Sequence, residues 1–141
     1  MSNFDPTSAR LAITETLHRY AWSYDTRDLA LMATTFTPDA SFTIELAGTP
    51  GWGPFTDRAA IIAWLGAIMA TQTDQRRHVV TNLIVHELTP TRAVAASYLT
   101  LTAAENGQLA VKCTGSYRDE LSYTEEQWRI QRKILVLDCA F

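Results

Sequence analysis

Two side chains about a third of the chain apart carry the chemistry in this sequence: Asp25 in YAWSYDTRD and His78 in RRHVVTN. Imidazole titrates near working pH, and a carboxylate that accepts one ring N–H fixes the tautomer and steadies the imidazolium. Such a pair is a general base, contributing about 10²- to 10⁴-fold in rate. Tyr24, directly before Asp25, offers a hydroxyl for a substrate oxygen or a bound water, and Tyr20 lies one helical turn back on the same face. Either tyrosine could equally be a core aromatic. Asn82 shares strand parity with His78 and can face the same cavity. Trp52, Phe55, Trp64, Ile68 and Met69 can line or lid a pocket, or serve as plain core.

Spacing alone does not join Asp25 to His78, and a lone strand histidine can equally be structural; the words around the two residues have to make the case, beginning with the elements that carry them. Asp5-Pro6-Thr7-Ser8 opens a helix running to Asp25, with Leu11, Ile13, Leu17, Tyr20 and Tyr24 near helical spacing. Asp28 caps a short second helix to Phe36, and Thr37-Pro38-Asp39 breaks the pattern. A first strand is expected over Ala40 to Leu46. Residues 47–55, with three Gly and two Pro, read as a loop. Thr56 or Asp57 caps a third helix carrying Ile61, Ile62, Trp64, Leu65, Ile68 and Met69. Four strands follow, at Arg77–Leu88, Ala93–Ala103, Leu109–Tyr123 and Trp128–Cys139, with turn residues between them, Glu105-Asn106-Gly107 among these. Helices first and an antiparallel meander afterwards make an α+β pattern, a curved sheet wrapped over helices and leaving a cone-shaped cavity.

Composition narrows the function. The 141 residues carry a formal net charge of -3 with 47% hydrophobic and 19% charged residues, an ordinary globular balance suited to one domain over 1–141. Basic residues are scattered, the densest group being Arg76-Arg77 before His78, which argues against nucleic acid or an anionic membrane as partner. The longest apolar run is too short to cross a bilayer, and the N-terminus shows no signal peptide. Cys113 and Cys139 read as two buried free thiols of a cytoplasmic protein. No His, Cys, Asp or Glu cluster has metal-ligand spacing and no Gly-rich phosphate loop is present, so neither metal nor cofactor is expected.

Several landmarks occur in order along nearly the whole chain: Tyr20-x-x-x-Tyr24-Asp25-x-x-Asp28, Phe36-Thr-Pro-Asp39-Ala, His78-x-x-x-Asn82, Gly115-x-Tyr117-x-Asp119-Glu120 and Trp128-x-Ile130. Together they resemble the SnoaL-like, nuclear-transport-factor-2-like superfamily, in the branch of scytalone dehydratase and hexachlorocyclohexane dehydrochlorinase. The resemblance implies a cone-shaped α+β roll with Asp25 and His78 as a catalytic dyad that removes a proton from carbon while a leaving group departs. It also implies a pocket cation on the last strand, for which Arg132 is the first candidate and Lys133 the second. The second active-site His of scytalone dehydratase has no counterpart in the stretch Val111 to Gly115, so the acid for the leaving group is not assigned.

The expectation is a cofactor-free, dehydratase-like lyase or isomerase acting on a small hydrophobic, cyclic metabolite. Relatives in the superfamily also serve as non-catalytic binding or assembly modules, including dioxygenase small subunits, or as polyketide cyclases and epoxide hydrolases. The resemblance further implies a homo-oligomer, trimer ahead of dimer.

Overall fold

The computed structural model describes residues 3–140. Three helices come first, interrupted by one hairpin: α1 Pro6–Asp25, α2 Leu29–Ala33, β1 Phe36–Leu46, β2 Thr49–Thr56 and α3 Arg58–Met69. Four long strands complete the chain, β3 Gln75–Leu88, β4 Arg92–Glu105, β5 Gln108–Thr124 and β6 Gln127–Leu137. The six strands form one sheet in the order β2-β1-β6-β5-β4-β3. Only the β1–β6 pairing is parallel; the others are antiparallel. The expected α+β roll on a mixed, mostly antiparallel sheet is therefore the fold.

Asp5 caps α1 by accepting the Thr7 amide, with Pro6 in the first turn, where its missing N–H is no loss. The buried stripe of α1 is Ala9, Ile13, Leu17, Tyr20 and Tyr24, whereas Leu11 faces solvent. On α3, Ile61, Leu65 and Met69 recur at four-residue spacing and face the sheet. One continuous core joins these stripes to Phe36, Phe42 and Ile44 of β1, Leu99 and Leu101 of β4, Tyr117 of β5, and Ile130, Leu135 and Leu137 of β6. No helix among the described residues is long and apolar enough to cross a membrane.

The segment read as a loop is a strand. Residues 49–56 pair with β1 through Phe42↔Phe55, Ile44↔Trp52 and Leu46↔Thr49. Its glycines and prolines are tolerated because β2 is the sheet edge, where an absent N–H or side chain breaks no second ladder. Gly53 has φ 89 and lies so close to β1 that a Cβ would stand 2.6 Å from the Phe42 carbonyl oxygen, so no other residue fits there. β1 also begins earlier than expected, at Phe36, which pairs with Ile130 before an irregularity that leaves Pro38 and Asp39 exposed. β6 stops at Leu137, and Cys139 is exposed rather than buried; Cys113 alone is an interior thiol.

Three hairpins close through two-residue turns whose central residues have positive φ: Ala47-Gly48, Asn106-Gly107 and Glu125-Glu126. Asn-Gly suits such a turn; two glutamates do not. The left-handed conformation costs about 1–2 kcal/mol for an ordinary L-residue. Glu126→Gly should therefore raise unfolding stability by about 1 kcal/mol in urea titration. Unchanged stability would show that this turn carries no such strain.

Candidate active site

The C-terminus of α1 is built to deliver Asp25. Arg27 takes the left-handed conformation, φ 56, and the Asp28 and Arg27 amides donate back to the Ser23 and Tyr24 carbonyls, closing the helix in a Schellman arrangement. The Arg27 guanidinium then reaches across to the segment after α3, donating to the carbonyls of Met69 at 2.7 Å, Gln72 at 2.7 Å and Asp74 at 3.2 Å. Gln75, at the start of β3, donates its side-chain amide to the Asp25 carbonyl. These bonds hold the start of β3 against the end of α1.

His78 consequently meets Asp25 twice. Its backbone N–H donates to Asp25 Oδ2 at 2.9 Å, and its ring Nδ1 lies 2.6 Å from Asp25 Oδ1. A carboxylate oxygen facing Nδ1 favours the tautomer with the proton on that nitrogen, which leaves Nε2 as the ring atom turned away from Asp25. No described residue bonds Nε2. The two side chains are about nine-tenths buried, at 8% and 10% exposure.

His78 lines an internal cavity of about 40 Å³ together with Tyr20, Phe42, Trp64, Leu99 and Tyr117, among others. That is room for about three water molecules. Trp64, Ile68 and Arg76 border both this cavity and an outer hollow of about 430 Å³, and so form the partition between them. Tyr24 packs its ring on His78, centroids 4.4 Å apart, but its hydroxyl donates to Gln72 Oε1 at 2.9 Å instead of pointing to a free site. Burial raises the Tyr24 hydroxyl above its ordinary value of 10.0, against the Gln72 bond, which lowers it.

Other expected pocket residues lie elsewhere. Trp52, on the edge strand, is 40% exposed and lines the outer hollow. Phe55 stacks behind Trp64, centroids 4.2 Å apart, and props the partition from outside the cavity. Met69 falls on the buried stripe of α3 and packs in the core. Asn82 is exposed: the β3–β4 register slips between Thr81 and Ile84, Asn82 takes φ 55, and parity with His78 is lost. Arg132 also points outward, 57% exposed and 3.6 Å from Glu120. The β5–β6 register shifts between Glu120 and Leu121, so after Trp128 and Ile130 the inward positions become Lys133, Leu135 and Leu137. Lys133, the second candidate, is the interior cation.

Lys133 Nζ is 3.0 Å from Asp119 Oδ1, with side chains 2% and 1% exposed. It sits over the rings of Tyr117 and Tyr20, 4.0 and 4.4 Å from their centroids, two rings nearly perpendicular to each other. Burial pulls the Lys133 ammonium below its usual value and lifts the Asp119 carboxyl above its own, each opposed by the partner's charge. The Tyr20 and Tyr117 hydroxyls are likewise driven well up, first by burial. Asp119 Oδ2, Tyr117 Oη and Ser97 Oγ are buried and bonded to no described residue. The cavity wall formed by Tyr20 and Tyr117 thus has a polar backing. Tyr117-x-Asp119 was visible as a landmark, but its pairing with Lys133 depends on a shifted register. Arg76 was also passed over as part of a basic run; it alternates inward with His78. Among the described residues no group of three or more His, Cys, Asp or Glu could hold a metal.

A family model described as a SnoaL-like domain matches residues 5–134. The chain belongs to this family. No curated protein matches significantly in sequence. Many solved structures do match in fold. A candidate aromatic ring hydroxylase from Novosphingobium aromaticivorans is 27% identical, with TM-score 0.79 over 95% of this chain and 92% of that one. An NTF2-like protein with a cystatin-like fold from the same organism is 21% identical, with TM-score 0.75 over 97% and 91%. The beta subunit of a candidate aromatic-ring-hydroxylating dioxygenase, again from that organism, is 15% identical, with TM-score 0.81 over 96% and 92%. The SnoaL-like chain thus has the NTF2-like, cystatin-like fold.

Removing one member of an enclosed ion pair strands the other charge, at a cost of about 3–5 kcal/mol. Lys133→Met should destabilise the protein by that amount in chemical denaturation, and adding Asp119→Leu should recover most of the loss. Additive losses would mean that the two side chains are not coupled.

Proposed function

We propose that this SnoaL-like protein is a cofactor-independent lyase or isomerase, dehydratase-like, that removes a proton from a small hydrophobic cyclic metabolite. The observation that carries this reading is a His78 ring held by Asp25 through Nδ1 while bordering an apolar cavity. Asp25 fixes the tautomer; Nε2 takes the proton from carbon; the imidazolium formed stays paired with the carboxylate. An ionisable pair is costly to desolvate, and this one, unlike the enclosed Asp119–Lys133 pair, borders the cavity through its ring. A cavity of about 40 Å³ does not admit a ring, so the substrate enters by displacing the partition side chains, chiefly Trp64 and Ile68. The apolar walls select a greasy ring, and Tyr24 keeps the imidazole in place rather than donating to substrate. Neither metal nor cofactor takes part in this scheme.

The test is hydrogen–deuterium exchange at carbon, read by NMR, across a library of cyclic ketones, alcohols and halides. A substrate should exchange or eliminate with the wild type. His78→Ala should lose about 10²- to 10⁴-fold of that rate while remaining folded, because residue 78 keeps its backbone N–H to Asp25. Full activity in the variant would sink the dyad reading. Silence of the wild type across the whole library would favour an assembly module like a dioxygenase small subunit.

We also propose a cytoplasmic homo-oligomer, trimer ahead of dimer, packed through the outer face of the sheet. Val79, Tyr98, Leu109 and Val111 are exposed there on β3, β4 and β5, apolar side chains that an interface would cover. Val111→Glu should shift the mass in sedimentation equilibrium to that of a single chain. A wild type that already sediments as one chain would refute the assembly.

A further inference from the structure

Proton abstraction from carbon needs somewhere for the electron pair to go. On an apolar ring that place is a conjugated oxygen, which becomes anionic as the proton leaves. A cation or donor set beside the base would stabilise that charge. Lys133 is enclosed and Arg132 faces outward, so neither stands at the cavity surface.

Arg76 does. On β3 the residues alternate, Gln75 and Arg77 exposed, Arg76 and His78 turned inward. Arg76 and His78 are therefore neighbours on one face, roughly 7 Å apart along the strand. Both line the cavity. The Arg76 Nε–H donates to Asp74 Oδ1 at 3.0 Å, with side chains only 10% and 14% exposed, which orients the guanidinium. Arg76 also borders the outer hollow and the small pocket around Asp25 and Tyr24. It shares the partition between the two spaces with Trp64 and Ile68.

We infer that Arg76 is a catalytic residue that binds the carbonyl oxygen of an enolisable cyclic substrate and holds it as the enolate forms. This rests on the proton abstraction proposed for His78. The C–H bond breaks, its proton goes to His78 Nε2, and its electron pair passes through the new C=C to the carbonyl oxygen beside Arg76. The enolate then collapses to the carbonyl. Either it returns to carbon the proton held by the imidazolium, which is isomerisation, or it expels a β-hydroxyl that takes this proton and leaves as water. A guanidinium stays protonated throughout, so Arg76 stabilises charge and donates no proton. The substrate class is accordingly a cyclic ketone or its vinylogue, rather than a hydrocarbon or a haloalkane without an acidifying oxygen.

Para-nitrophenolate is a planar anion with its charge on a ring-conjugated oxygen, and para-nitroanisole is its neutral counterpart. In a buffer alkaline enough to ionise the phenol, the wild type should bind the phenolate about tenfold more tightly than the anisole. Arg76→Gln should remove that preference while leaving anisole affinity within about twofold; Arg76→Lys, which keeps the charge but not the fork, should restore part of it. Equal affinities in the wild type, no binding of either probe, or an Arg76→Gln variant weakened equally for both would overturn the assignment and leave Arg76 a structural partner of Asp74. Where Arg76→Gln does not fold, the wild-type preference and Arg76→Lys decide the matter. The phenolate preference needs no turnover, so it is separable from the base. A His78→Ala variant that keeps the preference while carbon exchange is unaffected would sink the dyad and spare Arg76.

Discussion

One carboxylate holding one residue by two handles is the constraint on which the site depends. Asp25 takes the backbone N–H of His78 with one oxygen and the ring with the other. A side-chain bond alone would orient the imidazole relative to Asp25; the backbone bond also fixes Asp25 relative to the strand. The ring then cannot turn without giving up a charge-assisted bond in a poorly hydrated place. Arg27 has the same logic at larger scale. It occupies a backbone conformation that favours glycine, and in return its guanidinium gathers three carbonyls from the segment leading into β3. Strain at one position is exchanged for alignment of two elements distant in sequence.

Two of the buried acid–base pairs among the described residues stand in different relations to the cavity. His78 borders it, held from behind by Asp25, whose two carboxylate oxygens are both satisfied. Asp119 and Lys133 lie behind two tyrosine rings, with one oxygen unmet. Burial drives both members of the second pair toward neutrality, and only their mutual attraction opposes this. The first pair presents its ring to whatever occupies the cavity. The second holds one charge against the nearly perpendicular rings of Tyr20 and Tyr117, which gives the cavity a wall of defined shape.

Much of this was legible in the sequence because it rests on local signals. Caps, helical spacing and Asn-Gly turns act over a few residues, and Tyr24-Asp25 with His78 formed part of an ordered set of landmarks. What was not legible depends on register. A one-residue slip in β6 turned Arg132 out and Lys133 in, and a slip in β3 turned Asn82 away from His78. Nothing in a single strand announces such a bulge. The edge strand β2 was hidden for another reason: its glycines and prolines carry loop chemistry, and only its place at the margin of the sheet makes them acceptable. Met69 was mistaken for wall because it lies one residue from Ile68 on α3, where a step of one turns a side chain to a different neighbour.

The position of β6 bears on how the molecule comes together. It is the last strand in chain order, yet it lies inside the sheet, between β1 and β5. Until it is made, β1 and β2 have no partner beyond each other, and the hairpins of β3 to β5 form a separate sheet. The parallel β1–β6 contact joins early and late chain and closes nearly the longest loop available, a slow event in topologies of this kind. The same strand brings Lys133 to an Asp119 that would otherwise wait alone in an apolar setting. On the ribosome, the nascent protein therefore carries an open sheet margin and an unneutralised acid until its final strand emerges, and that is the interval in which it is most exposed to wrong pairing and to the attention of chaperones.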